Sequence, residues 1–231
     1  LFKNIQLKKK SVDLYENTVK AIFQDTKGNI WVGTKSGCFY IYNKSFELIT
    51  EFENLKTSQA NLKLTNIYSI TQDNEGFIWV GSKGGGIAVS QLPLKEYKSY
   101  NDIRFNAYKH DPTDHFSLSN DLVYSILQDN RGIIWIGTYG GGVNRVQSRT
   151  PEKLRCTHYT TENSNLSSNE IRQIFQDRNN RIWIATLFGL NILDPKSMND
   201  SLKFISFTHH NSDSKSLSYN DVVHIYEDSQ G

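Results

Sequence analysis

One stretch limits the fold more than any other: residues 123–138, Val-Tyr-Ser-Ile-Leu-Gln-Asp-Asn-Arg-Gly-Ile-Ile-Trp-Ile-Gly-Thr. Two apolar, β-branched runs flank Asp129-Asn130-Arg131-Gly132. The Asp carboxylate can accept backbone N–H bonds across a turn there, and Gly can adopt a positive φ without a Cβ clash. The stretch predicts a β-hairpin, and it recurs. Gln24-Asp25 leads to Gly28, Trp31 and Gly33; Gln72-Asp73 to Gly76, Trp79 and Gly81; Gln176-Asp177 to Asn180, Trp183 and Ala185. A further copy opens at Glu227-Asp228.

Counted from each Asp, the same offsets carry the same residue types. Six positions before it stand Val19, Ile67, Val123, Ile171 and Val222, and three before it Ile22, Ile70, Ile126, Ile174 and Ile225. Five after come Ile30, Ile78, Ile134 and Ile182, and six after come all four tryptophans. Successive Asp residues lie 48, 56, 48 and 51 positions apart. A period of about 50 built only of strand-type segments predicts an all-β chain, a β-propeller with one four-stranded antiparallel meander per blade. Asn180 keeps the rule, since Asn follows Gly in tolerance of the left-handed conformation.

The pattern divides 1–231 as a single propeller portion of about four complete blades plus two flanking strands. Residues 1–6 are expected to be the outer strand of a preceding blade, 17–52, 66–109, 121–160 and 169–208 the blades, and 220–231 the start of a fifth. The longest interval has its excess between Pro93 and Arg104, where Lys95-Glu96-Tyr97-Lys98 predicts a loop or an extended outer hairpin. Polar turns built on Ser117-Leu118-Ser119, Asn165-Leu166-Ser167 and Ser216-Leu217-Ser218 join the repeats, each central Leu expected to plug the gap between neighbouring blades. Apolar residues occupy both faces of the first two strands of each repeat, which requires a sheet sandwiched between two others. The tryptophans are therefore expected to be inter-blade packing.

With 26 basic and 24 acidic residues the formal net charge is +2, which gives no electrostatic reason to expect nucleic acid or an anionic membrane. Lys8-Lys9-Lys10 reads as a solvated loop. Cys38 and Cys156 stand at non-equivalent repeat positions and suggest neither a repeated disulfide nor a metal pair. No apolar run approaches the roughly 20 residues of a membrane span, and nothing near Leu1 resembles a signal peptide. A start at Leu1 and an end inside a hairpin turn lead us to expect a piece of a longer protein.

Val-x-x-Ile-x-Gln-Asp-x-x-Gly-x-Ile-Trp-Ile-Gly-Thr-x-x-Gly-Gly, with Ser-Leu-Ser between copies, resembles the two-component regulator propeller repeat of the extracytoplasmic sensor regions of bacterial hybrid histidine kinases. The likeness covers nearly the whole chain, with departures at Asn180, Ala185 and Lys35-Ser36-Gly37 that bear on local turn geometry. What it implies is a periplasmic, ligand-sensing propeller, usually seven-bladed, that binds a glycan-derived oligosaccharide and acts as a homodimer. It also implies a membrane segment and a histidine kinase outside this chain, with no nucleic-acid partner.

In a four-stranded meander the loops entering the first strand and those joining the second to the third share one edge. Tyr68, Lys83, Tyr124, Tyr139, Arg172 and Phe188 are therefore expected on one mouth. Aromatic rings can stack on apolar sugar faces, and donors can serve hydroxyls or a uronate carboxylate; the alternative is ordinary inter-blade or solvated residues. The repeated Asp invites a glycosidase acid/base reading. Each stands once per blade at the opposite edge in a turn-forming position, so a structural role is expected and no catalytic residue is assigned. Gly84-Gly85-Gly86 and Gly140-Gly141-Gly142 read as tight turns, because no helix follows them and no Lys-Ser/Thr pair completes a phosphate loop. The six histidines, including His209-His210, lack metal-ligand spacing, and His224 reads as a channel-lining or core residue. No cofactor or metal is expected. Two other readings stay open, a propeller lyase or glycosidase and a protein-interaction scaffold, although no Gly-x-Ser-x-Gly or Cys/His constellation supports nucleophilic catalysis.

Overall fold

A computed structural model describes residues 18–52, 55, 64–194 and 202–229. The strand expected at 1–6 and Lys8-Lys9-Lys10 lie outside the described residues. Four four-stranded sheets follow one another, each with its strands neighbouring in chain order. They comprise β1 (Val19–Gln24), β2 (Ile30–Thr34), β3 (Phe39–Tyr42) and β4 (Leu48–Phe52); β5 (Ile67–Gln72), β6 (Ile78–Ser82), β7 (Gly86–Ser90) and β8 (Phe105–Tyr108); β9 (Val123–Gln128), β10 (Ile134–Thr138), β11 (Gly142–Arg149) and β12 (Leu154–Tyr159); and β13 (Ile171–Gln176), β14 (Ile182–Thr186), β15 (Gly189–Leu193) and β16 (Phe204–Phe207). Each sheet is a propeller-type blade. One helical turn, α1 (Thr161–Ser164), lies between β12 and β13. Two compact units result, Leu1–Ala107 with the first two blades and Tyr108–Gly231 with the last two.

The hairpin corner explains why Gln-Asp recurs. Asp129 Oδ1 accepts the backbone N–H groups of Arg131 at 3.0 Å and Ile133 at 2.9 Å, while its Oδ2 accepts Trp135 Nε1–H at 3.0 Å. The Asp and Trp six residues apart are one unit in all four repeats, with Nε1 to Oδ2 distances of 2.9 Å for Trp31–Asp25, 2.7 Å for Trp79–Asp73 and 2.8 Å for Trp183–Asp177. Gly132 closes the turn at φ 85°, and Asn180 takes its place at φ 65°. The Gln closes the corner from the other side. Gln128 Nε2 donates to Gly132 O at 3.2 Å, and Gln176 Oε1 accepts the Asn130 N–H of the preceding blade at 2.9 Å. In the first unit Gln72 Oε1 likewise accepts from Thr26 N–H at 2.9 Å. One side chain thus clamps its own turn and fastens it to the neighbouring blade.

Apolar packing between blades is as repetitive as the turns. In the first unit, Trp31, Phe39, Ile41, Ile67, Ile70, Ile78 and Val80 form one buried cluster; in the second, Trp135, Val143, Ile171, Ile174, Ile182 and Ile184 do the same, with Leu166 from the interblade turn among them. The Gly of the Trp-x-Gly pattern is required by proximity. A Cβ on Gly137 would stand 2.5 Å from Ile171 Cγ2, and one on Gly33 would stand 2.6 Å from Ile67 Cγ2. Ala185 occupies the corresponding place in β14, inside a strand and not in a turn, so its departure from the pattern concerns the blade contact and leaves turn geometry alone. The residue matching Ile171 is there the smaller Val222, whose N–H donates to Thr186 O at 3.0 Å. Gly137→Ala is expected to cost about 1–3 kcal/mol by overpacking, whereas Ala185→Gly should cost about 1 kcal/mol or less; urea midpoints of the two variants check the contrast.

Between Pro93 and Arg104 there is no outer hairpin. Two 3-10 turns, Leu94–Glu96 and Tyr100–Asp102, fold back onto the first blade. Leu94 and Ile103 are buried, and the Tyr100 ring meets Trp31 edge-on at 5.8 Å. Tyr100 O–H donates to Asp25 Oδ2 at 2.7 Å and accepts from Asn29 Nδ2 at 2.5 Å. Burial, foremost, and the bond to Asp25 raise its phenol well above the ordinary tyrosine value. The inserted segment is an internal brace of the first unit.

The two units differ in what covers their outer blades. Ile22 on β1 is 71% exposed, although its counterparts Ile70, Ile126 and Ile174 are buried. Beyond β16, residues 220–229 lie against the last blade without a sheet partner. They repeat the interblade contacts made elsewhere: Gly189 N–H to Asn220 O at 2.8 Å, Ile225 N–H to Gln173 Oε1 at 2.5 Å and Arg178 N–H to Glu227 Oε2 at 2.9 Å. These contacts hold the segment against the last blade, and no strand forms over residues 220–229.

Candidate functional site

The position five residues before each Asp opens the first strand of a blade and carries Lys20, Tyr68, Tyr124, Arg172 and Val223. In the second unit this row meets the loop that follows the second strand. The Tyr124 and Tyr139 rings stack at 5.3 Å with 26° between their planes, and the Arg172 guanidinium lies over the Tyr139 ring, 5.3 Å from its centroid. Arg172 Nε and Nη2 donate to Asp221 Oδ1 and Oδ2, each at 3.1 Å, a parallel two-bond pair. Desolvation works against the guanidinium charge, but the hydrogen bonds and charge of Asp221 outweigh it and raise its pKa. The β13 strand places Arg172 and the docked segment supplies Asp221, so the pair also ties residues 220–229 to the fourth blade.

The remaining expected residues have local partners of their own. Phe188, after β14, is 56% exposed, and its N–H donates to Thr186 Oγ1 at 3.2 Å. In the first unit Lys20 Nζ lies 5.8 Å from the centroid of the Tyr68 ring, and Lys83 is exposed with its N–H bonded to Asn66 O at 3.0 Å. Sequence reasoning missed Lys20 and Asp221. Lys20 was detectable from its offset, the one shared by Tyr68, Tyr124 and Arg172. Asp221 was not, because the corresponding positions hold Thr18, Asn66, Leu122 and Glu170 and give no repeat signal.

The other chemistry-bearing groups have structural partners. The repeat Asp of each of the four blades accepts hydrogen bonds from its own hairpin, and Asp25 accepts one more from Tyr100 O–H. Asp177 is held below the usual carboxylate range: burial works in the opposite direction, and the bonds from Trp183 and Arg181 prevail. His110 and His209 reach the carbonyls of Leu118 at 2.8 Å and Leu217 at 2.5 Å, which fix their loops. Cys156 is buried, and burial pushes its thiol up to about 12, so it is a poor nucleophile. Among the described residues no group of three His, Cys, Asp or Glu side chains is arranged to hold a metal.

His158, on β12, contacts Ser117 O at 2.7 Å and fastens the 108–121 loop to the blade edge, where Cys156 N–H also donates to Phe116 O at 2.7 Å. Burial, chiefly, and then the charges of His115 and His110 hold its imidazole below the ordinary value. A histidine with a lowered folded-state pKa binds fewer protons than the unfolded chain, so stability falls as pH drops from about 6.5 toward the folded pKa. The thermal midpoint is expected to decline between about pH 7 and pH 5, and His158→Gln should flatten that decline.

With the geometry in place, comparison with known proteins locates the chain. The two component regulator propeller profile matches four times, at residues 16–36, 61–84, 117–140 and 165–188. Among curated proteins none matches. Among solved structures the chain is similar to the extracellular domain assigned to a hybrid two component system from B. thetaiotaomicron, with 26% identity and a TM-score of 0.62 over 87% of this chain and 24% of that one. A second B. thetaiotaomicron extracellular domain, assigned to a one component system, aligns with 21% identity and a TM-score of 0.63 over 89% of this chain and 26% of that one. The chain thus spans about a quarter of the length of these extracellular domains. Virginiamycin B lyase from Staphylococcus aureus shares the fold at 13% identity and a TM-score of 0.54, over 85% of this chain and 57% of that one. No helix among the described residues is long and apolar enough to cross a membrane. The chain is thus built from two component regulator propeller repeats, four of them matched and each folded as a blade around the same Asp–Trp corner.

Proposed function

We propose that the chain is part of the periplasmic, ligand-sensing propeller of a hybrid two-component signalling protein. It binds a glycan-derived oligosaccharide and passes the signal to a histidine kinase outside this chain, in a sensor that acts as a homodimer. The observation that carries this reading is the column Tyr124–Tyr139–Arg172 at the strand-entry edge of the second unit. Stacked rings beside a fixed donor are what a sugar with one apolar face and several hydroxyls requires. Phe188 of the same unit belongs to this proposed binding surface, and Tyr68 and Lys83 are the proposed sugar-contacting residues of the first unit. The extracellular relatives favour the signalling role, and the repeat Asp residues are occupied as turn acceptors instead of standing paired across a cleft as glycosidase carboxylates do.

The test is a thermal-shift panel of oligosaccharides on the intact protein, with product analysis in the same samples. A bound sugar at about 100 times its Kd should stabilise the propeller by about 2.7 kcal/mol, and Tyr139→Ala should weaken binding at least about tenfold. Turnover of any oligosaccharide would replace this reading with the enzyme. A silent panel together with a tight protein partner would replace it with the scaffold.

A further inference from the structure

We infer that the sugar taken by the Tyr124–Tyr139–Arg172 column is neutral, and that uronates are rejected there. This rests on the glycan-sensing reading above and narrows its ligand class. A lone arginine on a sugar-binding face would favour a uronate, since its fork matches a carboxylate with two parallel bonds. In this protein that fork is already filled. Arg172 Nε and Nη2 both point to Asp221, each bond 3.1 Å long, and the two side chains are only 22% and 30% exposed. The Tyr139 ring against the guanidinium fixes its plane, so the fork cannot turn toward a ligand without giving up the stack.

An arriving carboxylate would have to displace Asp221, leaving a half-buried anion without its partner, or else bind beside it as a like charge. Glu170, whose backbone bridges to Tyr139 and whose Oε2 accepts from Ser168 Oγ at 2.5 Å, adds a second negative group to the same edge. A neutral sugar meets none of this opposition. Three of the five guanidinium N–H donors are not used by Asp221. They stand next to a carboxylate that can accept from a hydroxyl, so adjacent sugar hydroxyls find an acceptor and donors side by side. The paired tyrosine rings offer a surface for the C–H face of the ring.

Matched pairs of oligosaccharides test this on the intact protein by isothermal titration: galacturonate, glucuronate and mannuronate oligomers, each beside the same oligomer after carboxyl reduction. For the pair that binds, the reduced form is expected to bind at least about tenfold tighter, and Asp221→Asn, which frees the fork, should shrink or reverse that preference. A uronate form binding the unaltered protein as tightly as its reduced partner overturns this inference and leaves the glycan-sensing reading in place. Silence across every pair, alongside a silent neutral panel, overturns both.

Discussion

Trp135→Ala is expected to lower the unfolding free energy by about 3–5 kcal/mol, the cost of emptying a large aromatic site in a core. Trp135 is 1% exposed, packs against Tyr159 with ring centroids 6.4 Å apart, and shares a cluster with Ile171, Ile174 and Ile182 of the neighbouring blade. Its loss therefore empties the space between two sheets and does more than thin one of them. Urea denaturation of the intact protein reads the effect as a lower midpoint. An unchanged midpoint would mean that Trp135 does not bridge blades, and the packing account of the repeat would fall with it. Trp183 gives an internal comparison. It is half-buried and borders two hollows, one lined by Leu190, Phe207 and Leu217 and the other by Phe175, Ile225 and Tyr226. Trp183→Ala should cost less than Trp135→Ala, because fewer neighbours lose their contacts.

Asp129→Ala is expected to cost about 3 kcal/mol, though its side chain has little apolar surface to lose. The carboxylate satisfies two backbone N–H groups and the Trp135 indole in a buried corner, and removing it strands donors that each cost about 1–3 kcal/mol when left unpaired. Asp129→Asn does not repair the corner. Its amide can still accept from the backbone through Oδ1, but Nδ2 then faces the Trp135 Nε1–H, donor against donor. Replacing Trp135 by Phe removes that conflict. The cycle of Asp129→Asn and Trp135→Phe should give a coupling of about 0.5–3 kcal/mol, and additive effects would mean that the Asp–Trp bond carries no stability.

Much of the architecture was legible before any coordinates. Hairpins show in the alternation around Asp and Gly, and blades show in the recurrence of Ile, Trp and Gly at fixed offsets, because those offsets are set by local turn chemistry and strand period. Asn180 was readable for the same reason: the left-handed requirement belongs to one residue and its neighbours. The insertion in the second repeat was not. Lys95-Glu96-Tyr97-Lys98 looks solvated on composition, but Leu94, Tyr100 and Ile103 fold it onto Asp25 and Trp31, residues about 70 positions away along the chain. Nor could the role of Gln be read, since its second bond goes to the neighbouring blade.

By itself, then, the sequence determined the repeat, the hairpin corner and the strand order within each blade, all consequences of contacts between residues near one another in the chain. Only the tertiary structure decided that Arg172 is held by Asp221, that Tyr124 and Tyr139 stack beneath it, and that Gly137 must lack a Cβ beside Ile171. Those facts depend on how one blade is set against the next, a distance of roughly one repeat along the chain, and no local propensity encodes the charge state or shape of a surface assembled that way.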